Sequence, residues 1–266
     1  MPVIRASHDR ESYSIYKSLV LNPGGLAKPS SKGAKKIHLI LTHEKYTAGL
    51  ERLLQFKKTL GHEVRLETLN QPDTAVVKAL IKKNYQSAEP PTDTLIVGSI
   101  DDIPSFRSSG FWSDYPYSLL DNGDFPDISL GRFPVKDTNQ LGRVIDKVIA
   151  RETQTRDKSN FLVTSGYEVD WCQENLKYIM NRIFSKSDIP IRVTKLYASD
   201  GAHTSQVVDG YNSNPNIIIY DGHGDQDSMS EIPLRTSDFS KFTNTVNPLL
   251  FDIACLNSYW PSSGAS

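Results

Sequence analysis

Cysteine is nearly absent from this chain: only Cys172 and Cys255 occur among 266 residues, too few for a disulfide framework. An excess of one charge is also missing. Thirty Lys and Arg face 31 Asp and Glu, for a net charge of -1, which gives no electrostatic footing for nucleic acid or an anionic membrane. No apolar run approaches the roughly 20 residues of a membrane-spanning helix. Met1 to Arg10 holds no apolar stretch of the signal-peptide kind. Gly-x-Ser-x-Gly, a phosphate-binding Gly-Lys-Ser/Thr loop, Gly-x-Gly-x-x-Gly and zinc-ligand spacings are all absent, so nucleotide, serine-hydrolase and zinc chemistries find no support.

What is present is an alternation of apolar strands and amphipathic helices. Strands are predicted at 37–42, 63–69, 94–98, 160–165, 190–196, 216–221 and 248–254, the last two being short apolar runs. Helices are predicted at 48–60, from an Asp73 cap to Tyr85, and at 137–152, 170–185, 203–212 and 236–243. Between Ile100 and Pro134 the sequence is dense in Asp, Gly, Pro and aromatics and reads as loop. This pattern predicts an α/β fold, doubly wound around a mostly parallel sheet flanked by helices. The wholly polar run Thr153 to Ser159 suggests a boundary. The expected organisation is therefore an irregular arm over 1–35, an α/β subdomain over 36–155 and a second over 156–266.

Two short pairs carry the chemistry. His223-Gly224 follows the apolar run Asn216 to Asp221, and Ala254-Cys255 follows Pro248 to Ile253. Parallel strands put their carboxyl ends on one edge of the sheet, where ligands collect. If these strands are neighbours, an imidazole and a thiol face each other, the minimum equipment of cysteine nucleophilic catalysis. Cys172 reads differently. It shares one helical face with Leu176, Ile179 and Ile183, the spacing of core packing. His8, His38, His43, His62 and His203 have no partners at a meaningful spacing and read as structural or surface groups.

These residues resemble the caspase-like cysteine peptidases, and among them the gingipain family, peptidase family C25. Leu249 to Asn257 is similar to that family's nucleophile strand. Upstream, Val97-Gly98 with Asp102-Ile103-Pro104, Ser113-Asp114, Asp121 to Ile128 and Gly131-Arg132-Phe133-Pro134 follow the family's order. The resemblance runs from about Ile37 to the end of the chain. It implies a caspase-like fold in two subdomains, peptide or protein substrates, and secretion or display at the cell surface. It implies Cys255 as nucleophile, His223 as acid, and the N–H groups of Gly224 and Cys255 as the oxyanion hole. Glu168 is implied as the carboxylate that orients His223, and Asp170 as the base of a pocket for Arg or Lys. It also implies a structural Ca²⁺ at the acidic turn of Asp121, Asp124 and Asp127, with no cofactor needed for the chemistry. Finally, caspase-like chains continue past the nucleophile, so a C-terminal chain or domain is expected to complete the sheet.

Each assignment has a competing structural reading. A histidine in Gly-His-Gly can be a loop residue, and a lone cysteine at a strand end can be core. Glu168 and Asp170 can serve the N-terminus of the helix that follows, and the acidic turn can be an exposed turn of ordinary composition. The residues alone leave two further functions open: an inactive peptide- or partner-binding relative, and an α/β ligand-binding domain without covalent chemistry.

Overall fold

The computed structural model describes residues 36–108, 110–121, 123, 125–153, 159–167, 169–184, 190–229, 231–232 and 234–255. The arm expected over 1–35 and the polar run 154–158 lie outside them. The chain divides into two compact units between Asp146 and Lys147. Helix Thr138–Thr153 runs through that division.

The first unit holds β1 (Ile37–His43), β2 (Glu63–Leu69), β3 (Asp93–Val97), β4 (Phe106–Ser108), β5 (Phe111–Ser113) and β6 (Ser129–Phe133). Its main sheet has the order β2-β1-β3-β6, and every neighbouring pair is parallel. Leu39, Leu41 and Ile96 pack against Val77 and Ile81 of helix Thr74–Tyr85 with no exposed surface, each burial being worth about 1.5–3 kcal/mol. The Asp73 carboxylate accepts from the Val76 N–H at 2.7 Å and caps that helix as the sequence predicts.

The stretch 100–134 is more ordered than its composition suggests. It contains the β4–β5 hairpin, a short helix at Tyr115–Ser118, and β6 as the edge strand beside β3. β6 reads Ser-Leu-Gly-Arg-Phe; an edge strand with one hydrogen-bonded neighbour does not need the continuous apolar run of a central strand. Arg132 holds this region together. Its side chain is 2% exposed, and the guanidinium forks onto both Asp114 oxygens at 2.7 and 2.8 Å. It also donates to the carbonyls of Gly98 and Ile103 at 2.9 Å and of Ser99 at 3.3 Å. Nearby, Asp102 accepts from Lys45, Tyr46 and Ser99. Burial works to raise the Asp102 pKa, and these donors outweigh it and hold the carboxyl below its usual range.

The second unit holds β7 (Asn160–Ser165), β8 (Arg192–Tyr197), β9 (Ile217–Asp221), β10 (Ser228–Met229), β11 (Leu234–Arg235) and β12 (Leu249–Ile253). Its sheet runs β12-β9-β7-β8, again all parallel. Counted within each unit, both sheets share one strand order. Both faces of the second sheet are covered. Ile219 and Val163 pack against Leu176 and Met180 of helix Glu174–Phe184. On the other face Ile218 and Leu162 meet Val207, Val208 and Tyr211 of helix Thr204–Asn212. Cys172 is fully buried in the π-helical turn Val169–Gln173 that opens the first of these helices, in keeping with its predicted core role. The segment predicted as a helix over 236–243 is a 3-10 helix at Thr236–Lys241.

Candidate active site

In the second unit the chain goes from β7 outward to β8, then back across β7 to β9 and on to β12. The reversal lies between β7 and β9. In open α/β sheets the carboxyl edge at such a reversal forms a crevice, because the loops on its two sides depart in opposite directions. His223 leaves β9 at that edge.

β9 and β12 are neighbours in parallel register, from Ile217 beside Leu249 to Asp221 beside Ile253. Arg151 ties their starts together: its Nη1 donates to the carbonyls of Asn216 and Asn247 at 3.1 and 3.0 Å. At the far end the Gly222 N–H donates to the Ile253 carbonyl at 3.2 Å. His223 and Cys255 each follow by two residues the last paired positions, Asp221 and Ile253. Both are exposed.

The histidine loop is held by its backbone. The Tyr220 hydroxyl donates to the His223 carbonyl at 2.6 Å, and a Glu231 carboxylate oxygen accepts from the His223 N–H at 3.3 Å. That carboxylate lies over two glycines. A Cβ on Gly166 would fall 1.5 Å from Glu231 Oε2, and one on Gly222 would fall 2.6 Å from the Tyr220 hydroxyl. The glycines are there because these groups need the space. Gly224 forms an antiparallel bridge with Met229 in which Asp225 N donates to Ser228 O. In such a non-hydrogen-bonded pair the N–H of Gly224 itself points away from the hairpin.

Asp221 ends β9 with 1% exposure, and neither carboxylate oxygen meets a hydrogen-bond donor in good geometry among the described residues. It faces the side of the sheet where Cys172 and Asn175 lie. Burial pushes its pKa up, offset in part by those two side chains. A carboxyl whose folded pKa is raised stabilises the fold fully below its unfolded pKa and loses that contribution as pH climbs through the folded value. Asp221→Asn is therefore expected to raise the melting temperature near neutral pH, with the difference closing toward about pH 4. Thermal unfolding of both forms across that range checks it; a variant less stable than wild type at neutral pH would contradict it.

Of the remaining predicted residues, Glu168 lies outside the described residues, as does the Asp170 side chain. The Asp170 backbone belongs to the π-helical turn that carries Cys172. In the acidic turn of the first unit, Asp124 is outside the described residues. Asp127 accepts from the N–H groups of Leu120 and Asp121 at 2.7 and 3.0 Å, and Asp121 accepts from Gly123 at 2.7 Å. These carboxylates close the turn on itself, and no group of three metal-ligating side chains gathers among the described residues. Sequence reasoning missed Glu231 and Asp221. An acidic residue closing the run Ile217-Ile218-Ile219-Tyr220-Asp221 was the available signal for the second. It also missed a pairing of histidines in the first unit, where Asp93 binds His38 Nδ1 at 2.7 Å and His38 Nε2 meets His62 at 2.8 Å.

Residues 32–266 match the model of peptidase family C25. The chain belongs to this family. Among curated relatives, a Lys-gingipain of Porphyromonas gingivalis, W83, is 24% identical over 224 residues, which is 77% of this chain and 13% of that protein. The crystal structure of the Arg-specific cysteine proteinase gingipain R superposes with a TM-score of 0.74 at 20% identity, covering 87% of this chain and 57% of the other. A complex of the pro- and mature domains of the P. gingivalis enzyme RgpB superposes at 0.73 with 22% identity, covering 83% and 56%. The chain thus spans a small part of the curated relatives and little more than half of the solved ones. Its fold is the caspase-like α/β fold of the family.

Proposed function

We propose that this chain carries the catalytic site of a cysteine-type endopeptidase. The observation that supports the reading is the parallel pairing of β9 and β12, the strands that end two residues before His223 and Cys255, in a C25 chain. The Cys255 thiolate attacks the scissile carbonyl carbon. The resulting oxyanion accepts from the N–H groups of Gly224 and Cys255, a contribution of about 3–4 kcal/mol per donor. Collapse breaks the C–N bond while the His223 imidazolium protonates the leaving amine. Water then attacks the thioester with His223 as base, releasing the carboxylic acid and restoring the thiol. No step calls for a metal or organic cofactor, and a Ca²⁺ at the acidic turn would serve structure alone.

Cleavage after Arg or Lys is the specificity we assign, by an acidic pocket to which Asp170 belongs. Glu168 would orient the His223 ring. A further segment or partner chain would add to the β12 edge, whose Leu249, Leu250, Phe251 and Ile253 are 42–48% exposed. No helix among the described residues is long and apolar enough to cross a membrane, and we assign the protein to the secreted or surface-displayed class of its family.

The decisive test is labelling of the full-length protein with a peptidyl acyloxymethyl ketone bearing Arg at P1, with the adduct located by mass spectrometry. The expected adduct is on Cys255, fast in wild type and slowed strongly in His223→Ala. Cys172, fully buried, serves as the internal control. Labelling of Cys255 at the rate of an ordinary exposed thiol, indifferent to His223, would refute the peptidase reading.

A further inference from the structure

We infer that the second unit holds a ligand site of its own. A cavity between β12 and the hairpin after His223 takes a flat aromatic body that carries a cation, an arylethylamine being the simplest case. The site is defined by its own walls and stands whether or not the chain cleaves peptides.

The cavity measures about 280 Å³. Close-packed interiors leave few voids larger than a water molecule, and a dry cavity of about 150 Å³ already accepts benzene. Room for a bicyclic ring is therefore present. β12 contributes Leu250 and Asp252. Leu250 is the register partner of Ile218, which packs on helix Thr204–Asn212, so the cavity belongs to that face of the sheet and not to the face of Leu176 and Met180. Its lining is graded from inside to outside. Tyr211 and Leu234 are buried, Met229 and Phe242 half-buried, and Phe239 and Leu250 are 57% and 42% exposed. The Tyr211 and Phe242 rings lie 4.6 Å apart and 7° from parallel, and Phe239 continues the stack at 5.5 Å. A third flat ring adds to such a stack by offset or edge-to-face contact.

Charge at the rim is one-sided. Asp225, Asp227 and Asp252 line the cavity, and among the described residues no Lys, Arg or His does. Of the basic residues on adjoining segments, Arg235 meets Asp227 at 3.5 Å and Lys241 meets Asp238 at 2.7 Å. One cation thus answers three carboxylates. An apolar, aromatic interior with a few acidic groups at its rim is complementary to a ring with a positive end.

The walls give the site its consequence. Asp252 stands three residues before Cys255 on β12. The opposite wall, Asp225 to Met229, is the hairpin that begins at His223, closed by the Gly224–Met229 bridge and by Asp225 N donating to Ser228 O at 2.9 Å. A ligand that touches both walls braces the β12 border against the His223 loop.

Calorimetry on the full-length protein tests this with two indoles, tryptamine and indole-3-propionate, which share a ring and differ in the sign of the charge. Tryptamine is expected to bind roughly tenfold more tightly, and the double variant Asp225→Asn/Asp252→Asn to erase that preference, the loss of two exposed ion pairs. Leu250→Trp, which fills the cavity, should abolish binding, with the melting temperature showing that the variant is folded. Hydrogen exchange in β12 should slow when tryptamine is added. No binding of tryptamine at millimolar concentration, equal binding of both indoles, or binding untouched by the Asp225/Asp252 double variant overturns the inference. So does saturation that leaves exchange in β12 unchanged. Capping Cys255 with the Arg ketone should leave tryptamine binding intact, and loss of binding would place the amine in the substrate cleft instead. Should Cys255 take no label, the peptidase reading fails and the variants still decide the site.

Discussion

Cys255→Ala and His223→Ala are each expected to lower kcat on a cleavable peptide by roughly 10⁴–10⁶-fold. The reason lies in how the two residues share one step. Without the thiol there is no thioester, and water must attack the amide directly. Without the imidazole the thiol stays largely protonated near neutral pH and the amine must leave unassisted. Because each loss disables the same step, the double variant should be scarcely slower than either single one, the signature of groups acting as a unit. Substrate affinity should change little, since neither residue holds the bulk of the peptide. Single-turnover kinetics on all three variants reads both quantities. Losses of less than tenfold, or losses that multiply in the double variant, would show that the two residues do not form one machine.

The second large effect concerns the first unit. Arg132→Met is expected to destabilise it by about 3–5 kcal/mol, the cost of leaving a buried charge unpaired. Asp114, 11% exposed, would lose both donors of its fork, and the carbonyls of Gly98, Ser99 and Ile103 would lose theirs. Arg132→Lys should recover little, because one ammonium cannot reproduce a planar fork that reaches a carboxylate and three carbonyls together. Chemical denaturation followed by amide exchange in β3 and β6 measures the effect where it falls. A loss below about 1 kcal/mol would mean that the hub contributes no more than an exposed pair does.

Arg132 also explains why part of the protein was legible and part was not. The segments Val97-Gly98, Asp102-Ile103-Pro104, Ser113-Asp114 and Gly131-Arg132-Phe133-Pro134 carry the family resemblance. In the fold, one guanidinium gathers residues from each of them. A string of letters preserves their order but not the contact, so the region reads as loop although it contains a hairpin, a helix and β6. Where local physics dominates, the reading was close. β7 coincides with its predicted run, and the β9 and β12 boundaries differ by one residue. Such runs are apolar and bounded, and little but a buried strand suits them. The site was half legible for the same reason. His223 and Cys255 follow strands that can be seen, and the expected adjacency of those strands is what the β9–β12 pairing shows. Glu231 reaches the His223 N–H across a hairpin of two-residue strands, too short to leave a periodic signal. Asp221 looked like any strand-ending polar residue until its neighbours were known.

The placement of Cys255 after β12 has a consequence for how the protein fails. Among the described residues β12 is a border strand held to β9 by one ladder, and its apolar side chains are 42–48% exposed. β9 is flanked on both sides and buried through most of its length. The imidazole thus hangs from the firmest part of the second unit and the thiol from one of its weakest. Fraying of a single border would separate them while the core of Ile218, Ile219, Leu162 and Val163 stays packed. On the proposed reading, competence for chemistry would be lost before foldedness, and a segment that clasped that border would widen the temperature range of the activity.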